Sequence, residues 1–175
     1  MSVVINGSAG VTVNSGAVLG ITSGTAVAST SGTSIDFTSI PSWVKRITVM
    51  FNAVSTNGSS IPQIQLGDSG GVETTGYVGT ISSYSGASNA NSTTGILANA
   101  AGNAGYSCTG IITLATLGSN LWVASMVTTT DPAIGNFSSV GAARKTLSDT
   151  LDRVRITTVN GTDTFDAGSI NILYE

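Results

Sequence analysis

The stretch Gly67-Asp68-Ser69-Gly70-Gly71 places a serine between glycines, directly after an aspartate. That arrangement suits a hydrolytic nucleophile. A serine hydroxyl attacks only when a neighbouring base takes its proton, and the usual base is an oriented histidine. This chain of 175 residues contains no histidine. The glycine-rich stretch therefore reads as a loop, with its Asp and Ser bonding the local backbone. No catalytic residue is assigned. The carboxylates Asp68 and Glu73 share one loop, Asp149 and Asp152 a second, and Asp163 and Asp166 a third. Calcium takes six to eight oxygens, and no spacing here matches an EF-hand loop. These pairs read as turn chemistry, and no metal or cofactor is assigned. Glycoside hydrolysis needs two carboxyl groups about 5–9.5 Å apart. With nine acidic residues in the whole chain, an enzyme acting on polysaccharide is the least favoured reading. Cys108 is the only cysteine. It can form neither an intrachain disulfide nor a cysteine metal cluster, and it reads as a small buried residue.

Aromatic rings can stack on a sugar or on a partner's side chain. Tyr77, Tyr84, Tyr106 and Trp122, together with Asp68 and Glu73, make up the candidate ligand-binding residues. Trp43 follows Pro41-Ser42 at a strand start and reads as a lid on the core. Trp122 is expected to face outward between Leu121 and Val123.

The elements that must position these residues are strands. Ser and Thr number 50, Val and Ile 31, and Leu only 9. β-branched side chains lose χ1 freedom in a helix and suit a pleated sheet. Charged residues are 9% of the chain, with a net charge of -3. Six basic residues and a pI near 4.6 give no electrostatic footprint for nucleic acid. Lys45-Arg46 and Arg144-Lys145 read as solvated strand ends. No run of 18 apolar residues exists to span a membrane. The first residues lack the basic and unbroken apolar regions of a signal peptide.

Residues 1–35 alternate apolar triplets such as Val3-Val4-Ile5 and Val11-Thr12-Val13 with Gly/Ser turns, and carry no charge. Such short pieces cannot hold a sheet alone. They predict an extended anchoring arm that pairs with a neighbouring protein, with residues 36–175 as the body. In the body, period-2 alternation predicts strands at Val44–Ala53, Pro62–Leu66, Tyr77–Tyr84, Arg153–Val159 and Ser169–Tyr174. The first is expected to keep Ile47, Val49, Phe51 and Ala53 on one face. Ser107–Leu117, Gly118-Ser119-Asn120 and Leu121–Val127 read as a hairpin. Ser85–Gly105 reads as a long loop or a pair of weak strands, and Ala142–Leu151 has some helical character. Turns at intervals of about ten residues indicate an all-β fold, an antiparallel β-sandwich of jelly-roll type with an extended N-terminal arm.

Three segments carry a resemblance: residues 40–49 (IPSWVKRITV), 64–74 (IQLGDSGGVET) and, most specifically, 151–175 (LDRVRITTVNGTDTFDAGSINILYE). Together they resemble the β-rich, tail-fibre-like virion proteins of tailed bacteriophages, over residues 35–175. The resemblance implies a homotrimer exposed on the surface of the virion, assembled in the host cytoplasm. It implies contacts with other phage structural proteins, of the tail or the major capsid protein, through residues 1–35. Two functions compete: a tail-fibre or tail-tip adhesin that binds a host-surface glycan, and a capsid decoration protein whose trimers stabilise the head. The fibre is placed ahead. No enzyme activity, nucleic acid or membrane insertion is expected. The chain lacks the rod-forming repeats and large anchoring domain of a long tail fibre.

Overall fold

The computed structural model describes the backbone of residues 3–6, 10–13 and 16–17, and residues 20–84, 88–131 and 137–175 in full. Among these residues there is no helix. Near the N-terminus lie β1 (Val3–Asn6), β2 (Gly10–Val13) and β3 (Gly16–Ala17), followed by β4 (Thr22–Ser23), β5 (Val27–Ala28) and β6 (Ser34–Phe37). The next strands are β7 (Arg46–Thr56), β8 (Pro62–Asp68), β9 (Gly71–Val72), β10 (Tyr77–Ser83), β11 (Asn89–Ser92) and β12 (Ile96–Leu97). The chain ends with β13 (Cys108–Gly118), β14 (Leu121–Thr130), β15 (Ser138–Thr146), β16 (Arg153–Thr158) and β17 (Phe165–Tyr174).

Two antiparallel sheets form a β-sandwich. The larger has the order β11-β10-β15-β14-β13-β7-β17-β4, with β5 also on β17; the smaller has the order β12-β8-β16-β6, with β9 on β8. A separate three-stranded sheet holds β1, β2 and β3. Within the body the pairs β7·β17, β8·β16, β10·β15 and β13·β14 nest one inside the next in sequence. The chain thus doubles back on itself like one long hairpin rolled into two layers.

The core lies between the sheets. Ile47, Val49, Phe51, Ile112, Leu114 and Ile170 come from the larger sheet, and Ile35, Ile64, Leu66, Val154 and Ile156 from the smaller; all are buried. Each such side chain contributes about 1.5–3 kcal/mol by leaving water. The β13–β14 hairpin turns at Ser119 (φ 50°) and Asn120 (φ 59°). Positive φ at both central residues is the turn whose twist matches the strands it joins.

Several expectations are corrected. Ala53 does not follow Phe51 inward. It sits at a bulge with φ 49°, opposite register shifts beside Gly110 on β13 and Gly168 on β17. Its N–H donates to Thr109 Oγ1 at 3.0 Å. A bulge inserts one residue and reverses the alternation, so Val54 and Thr56 turn inward instead. Ala142–Leu151 is not helical. Through Thr146 it belongs to β15, where Ser139, Ala143 and Lys145 point inward between β10 and β14. Lys145 is 5% exposed, so it is not a solvated strand end. Of the two readings of 85–105, the pair of weak strands holds: the short strands β11 and β12 form there, and Ala98, Asn99 and Ala100 are buried. Trp122 is 4% exposed and faces inward, because the hairpin turn sets the phase of β14. Trp43 packs on Tyr174 with ring centroids 5.9 Å apart.

Residues 22–28, read in sequence as part of an arm for a neighbour, pair with β17 of the same chain. Ser29 fastens this segment. Its N–H donates to Gly168 O at 3.0 Å and its hydroxyl to Ala167 O at 2.7 Å. An edge strand offers unpaired backbone groups, and the chain's own segment satisfies part of that edge.

Candidate functional site

The residues singled out in the sequence fall into separate places. Asp68, Glu73 and Tyr77 converge, but as a fastening. β8 turns into β9 through Ser69 and Gly70, and Asp68 Oδ1 accepts from the Gly70 N–H at 2.8 Å. The Ser148 hydroxyl lies 2.8 Å from both Asp68 Oδ2 and Glu73 Oε1, and the Ser148 N–H donates to Glu73 Oε1 at 2.7 Å. The ammonium of buried Lys145 pairs with the other Glu73 oxygen and lies 5.4 Å from the centre of the Tyr77 ring. The Tyr77 hydroxyl donates to Glu73 O at 2.9 Å and accepts from the Leu66 N–H at 2.7 Å.

These bonds set the acidities. The Ser148 hydroxyl, then the Gly70 N–H, hold Asp68 below its ordinary carboxylate value. Burial pushes Glu73 up, but Lys145 and Ser148 outweigh it and the net shift is downward. Burial pushes the Tyr77 hydroxyl well up. The cluster sets two carboxylates against one ammonium, a net charge of -1, and its polar atoms are occupied by one another. Among the described residues no three His, Cys, Asp or Glu side chains form a metal-binding group.

Ser69 stands exposed at the turn, with no histidine in the chain to activate it. A fluorophosphonate reagent is expected to leave Ser69 unlabelled, as read by intact mass. Ser69→Ala should change stability by no more than about 0.5 kcal/mol. Stoichiometric labelling would contradict this reading.

Of the remaining candidates, Tyr106 packs edge-on against Phe137, with centroids 5.5 Å apart. Tyr84 is exposed just after β10. Cys108 is buried, its thiol pushed up to about 12 by desolvation, and thiolate chemistry is suppressed there.

The structure assembles a site that the sequence reading did not single out. On the outer face of the smaller sheet, Gln63 and Gln65 of β8 stand opposite Thr157 and Arg155 of β16. They floor a groove of about 490 Å³, walled by Thr74 and Thr75 on one side and Asn160 and Gly161 on another. Each floor residue is fixed. Gln65 Nε2 donates to Thr94 O at 2.9 Å, and the Thr94 hydroxyl donates to Gln63 Oε1 at 3.3 Å. The Thr157 hydroxyl donates to Thr33 O at 2.8 Å. Arg155 donates from Nε and Nη2 to the two carboxylate oxygens of Asp36, both at 2.7 Å. That bidentate pair neutralises the guanidinium and leaves Nη1 outside it. Half-exposed Val159 adds an apolar spot to the lining.

The floor side chains Gln63, Gln65 and Thr157 are buried and satisfied within the protein, so the groove presents the exposed Thr74, Thr75 and Asn160 of its wall and one compensated cation over a rigid two-strand floor. Such a surface suits a neutral, hydroxyl-rich ligand, because fixed polar groups exchange hydrogen bonds with hydroxyls at little ordering cost. The available signal was the polar alternation in Gln63-Ile64-Gln65-Leu66 and in Arg155-Ile156-Thr157. Their meeting depends on the pairing of two strands about ninety residues apart in sequence. The fold and groove define an all-β sandwich with a polar cleft on one sheet. Comparison with known protein families, with curated proteins and with solved structures found no match.

Proposed function

We propose that the chain is a structural protein of a tailed-bacteriophage virion: a homotrimeric, surface-exposed adhesin of tail-fibre or tail-tip type that binds a host-surface glycan. The groove floored by Gln63, Gln65, Arg155 and Thr157 carries the glycan part of this reading. The resemblance of residues 35–175 to tail-fibre-like virion proteins supports the rest. In this reading the fold is of jelly-roll type, supported by the nested pairs β7·β17, β8·β16, β10·β15 and β13·β14. The arm of residues 1–35 then serves as the link to other virion proteins, apart from β4 and β5, which pair with β17 of the same chain. In this reading the protein is a binder and not an enzyme, since Asp68 and Glu73 are held on Ser148 and Lys145 and the chain has no histidine to activate Ser69.

The test is binding of the full chain to a panel of neutral bacterial-surface polysaccharides. Saturable binding is expected. Thr75 is exposed on the groove wall, and Thr75→Trp should fill the cleft without disturbing its floor. Binding should weaken at least about tenfold, the equivalent of about 1.4 kcal/mol. Wild-type binding that Thr75→Trp leaves unchanged would move the site away from the groove. No binding by the wild type would reject the adhesin. The decoration reading is separated by copy number: hundreds of copies per particle mean the shell, and a handful mean the tail.

A further inference from the structure

The outer face of the larger sheet carries a cross-strand row. Met50 of β7, Ile111 of β13, Val127 of β14 and Val140 of β15 stand directly opposite one another in register. Ile111, Val127 and Val140 are 50%, 63% and 51% exposed. Single exposed apolar residues are ordinary; a contiguous patch marks an interaction surface. The neighbouring row is Thr48, Thr113, Ser125, Ala142 and Thr80. The next is Arg46, Ala115, Val123, Arg144 and Val78. Across these three rows only two side chains are charged, and Arg46 is paired with Glu175.

We propose that this face, centred on Val127, is where a second copy of the chain docks, sheet against sheet. The proposal goes beyond the homotrimer of the reading above: a face complementary to itself closes a two-fold pair, a contact separate from the three-fold one.

Three features select a second copy. First, the face is built from short and β-branched side chains, so little rotamer freedom is lost on docking. A flat surface of this kind is complementary to itself, and two such sheets pack about 10 Å apart, as in a β-sandwich. Second, the area suffices. Five strands (β7, β13, β14, β15 and β10) at ~4.8 Å spacing, over the 7 residues of the shortest, β10, at ~3.3 Å, span roughly 24 by 23 Å. That is roughly 550 Å² in projection and more once side-chain relief is counted, near the ~800 Å² per partner of a stable interface. Third, the charges exclude a nucleic acid or an anionic membrane. A nucleic acid or an anionic membrane calls for several lysines or arginines, and here Arg144 is the one cation of the three rows outside an ion pair.

The experiment is sedimentation velocity of the full chain from about 1 to about 100 µM, the range in which an interface of this size shows itself. The wild type should self-associate. Val127→Glu puts a carboxylate on each copy at the centre of the face and should weaken association at least about tenfold. Ser125→Arg does the same from an exposed polar position, where folding is not at stake. Circular dichroism and thermal melts confirm that each variant is folded. If the wild type associates and both folded variants associate equally well, this face is not the interface, although the oligomer stands. If the wild type stays monomeric throughout the range, both the interface and the oligomer are rejected, and the glycan groove is untouched by that result.

Discussion

Glu73→Gln is expected to destabilise the protein by about 2–3 kcal/mol, at or below the lower end of the ~3–5 kcal/mol for breaking a fully buried ion pair because Glu73 keeps some contact with solvent. The substitution leaves the Lys145 ammonium 5% exposed, with the Tyr77 ring beside it and no counter-charge from Glu73. The amide can keep one bond from Ser148 but cannot replace the charge. Adding Lys145→Met to Glu73→Gln removes the stranded cation and should recover most of the loss, since buried pairs are often replaced by apolar groups at little cost. Urea unfolding of the two single variants and the double variant completes the cycle. The same contact sets an acid dependence. Asp68 and Glu73 are both depressed from their ordinary values of 3.8 and 4.5. The folded state therefore binds fewer protons than the unfolded one in this region, and stability rises with pH. The contribution is complete above the ordinary values and is lost as pH falls through the lower folded values. In Glu73→Gln the Glu73 part of that slope should vanish and the Asp68 part remain. An acid slope identical to wild type would show that Glu73 is not the group responsible.

The bulge across β13, β7 and β17 makes the second large effect. Gly168 has φ 94°, and a Cβ there would lie 2.4 Å from Ala53 O and 2.6 Å from Asn52 O. Both contacts are backbone atoms of a central strand and cannot give way cheaply. Gly118 provides the control: its φ is 93°, and a Cβ there would meet nothing within 4 Å. Gly118→Ala carries only the left-handed backbone strain, about 1–2 kcal/mol. Gly168→Ala carries that strain plus the collision, at least about 3 kcal/mol in all. For a chain of this size each kcal/mol lowers Tm by about 2–4 °C. Thermal melts should therefore separate the two variants by several degrees, with Gly168→Ala lower. Equal Tm values would mean that the three strands do not approach each other at the bulge as described.

Much of this architecture is legible in the residues themselves. The excess of Val, Ile and Thr with so little charge determines an all-β chain, because β-branched side chains favour the pleat. Strict alternation determines β7 up to Phe51, β16, and the end of β17, since a strand's faces alternate with period two. Gly118-Ser119-Asn120 determines a hairpin, and the absence of histidine excludes the usual activation of Ser69. These are local properties, decided by covalent geometry and by the steric preferences of each side chain.

The rest depends on which strands become neighbours. Ala53 leaves the inner face at the bulge, where Thr109 of β13 takes its N–H on one side and Gly168 of β17 lies against its carbonyl on the other. Lys145 is buried because its strand lies between β10 and β14 and brings it against Glu73, 72 residues earlier in the sequence. Trp122 turns inward because the phase of β14 is fixed by its hairpin, and alternation alone does not say which face is covered. Gln63, Gln65, Arg155 and Thr157 become one groove floor through the pairing of β8 with β16. Ile111, Val127 and Val140 become one row through the register of three strands. A linear sequence shows the period of each strand but not its partner. Register is a property of pairs, selected by the packing of the whole core, and the groove and the flat outer face exist only at that level.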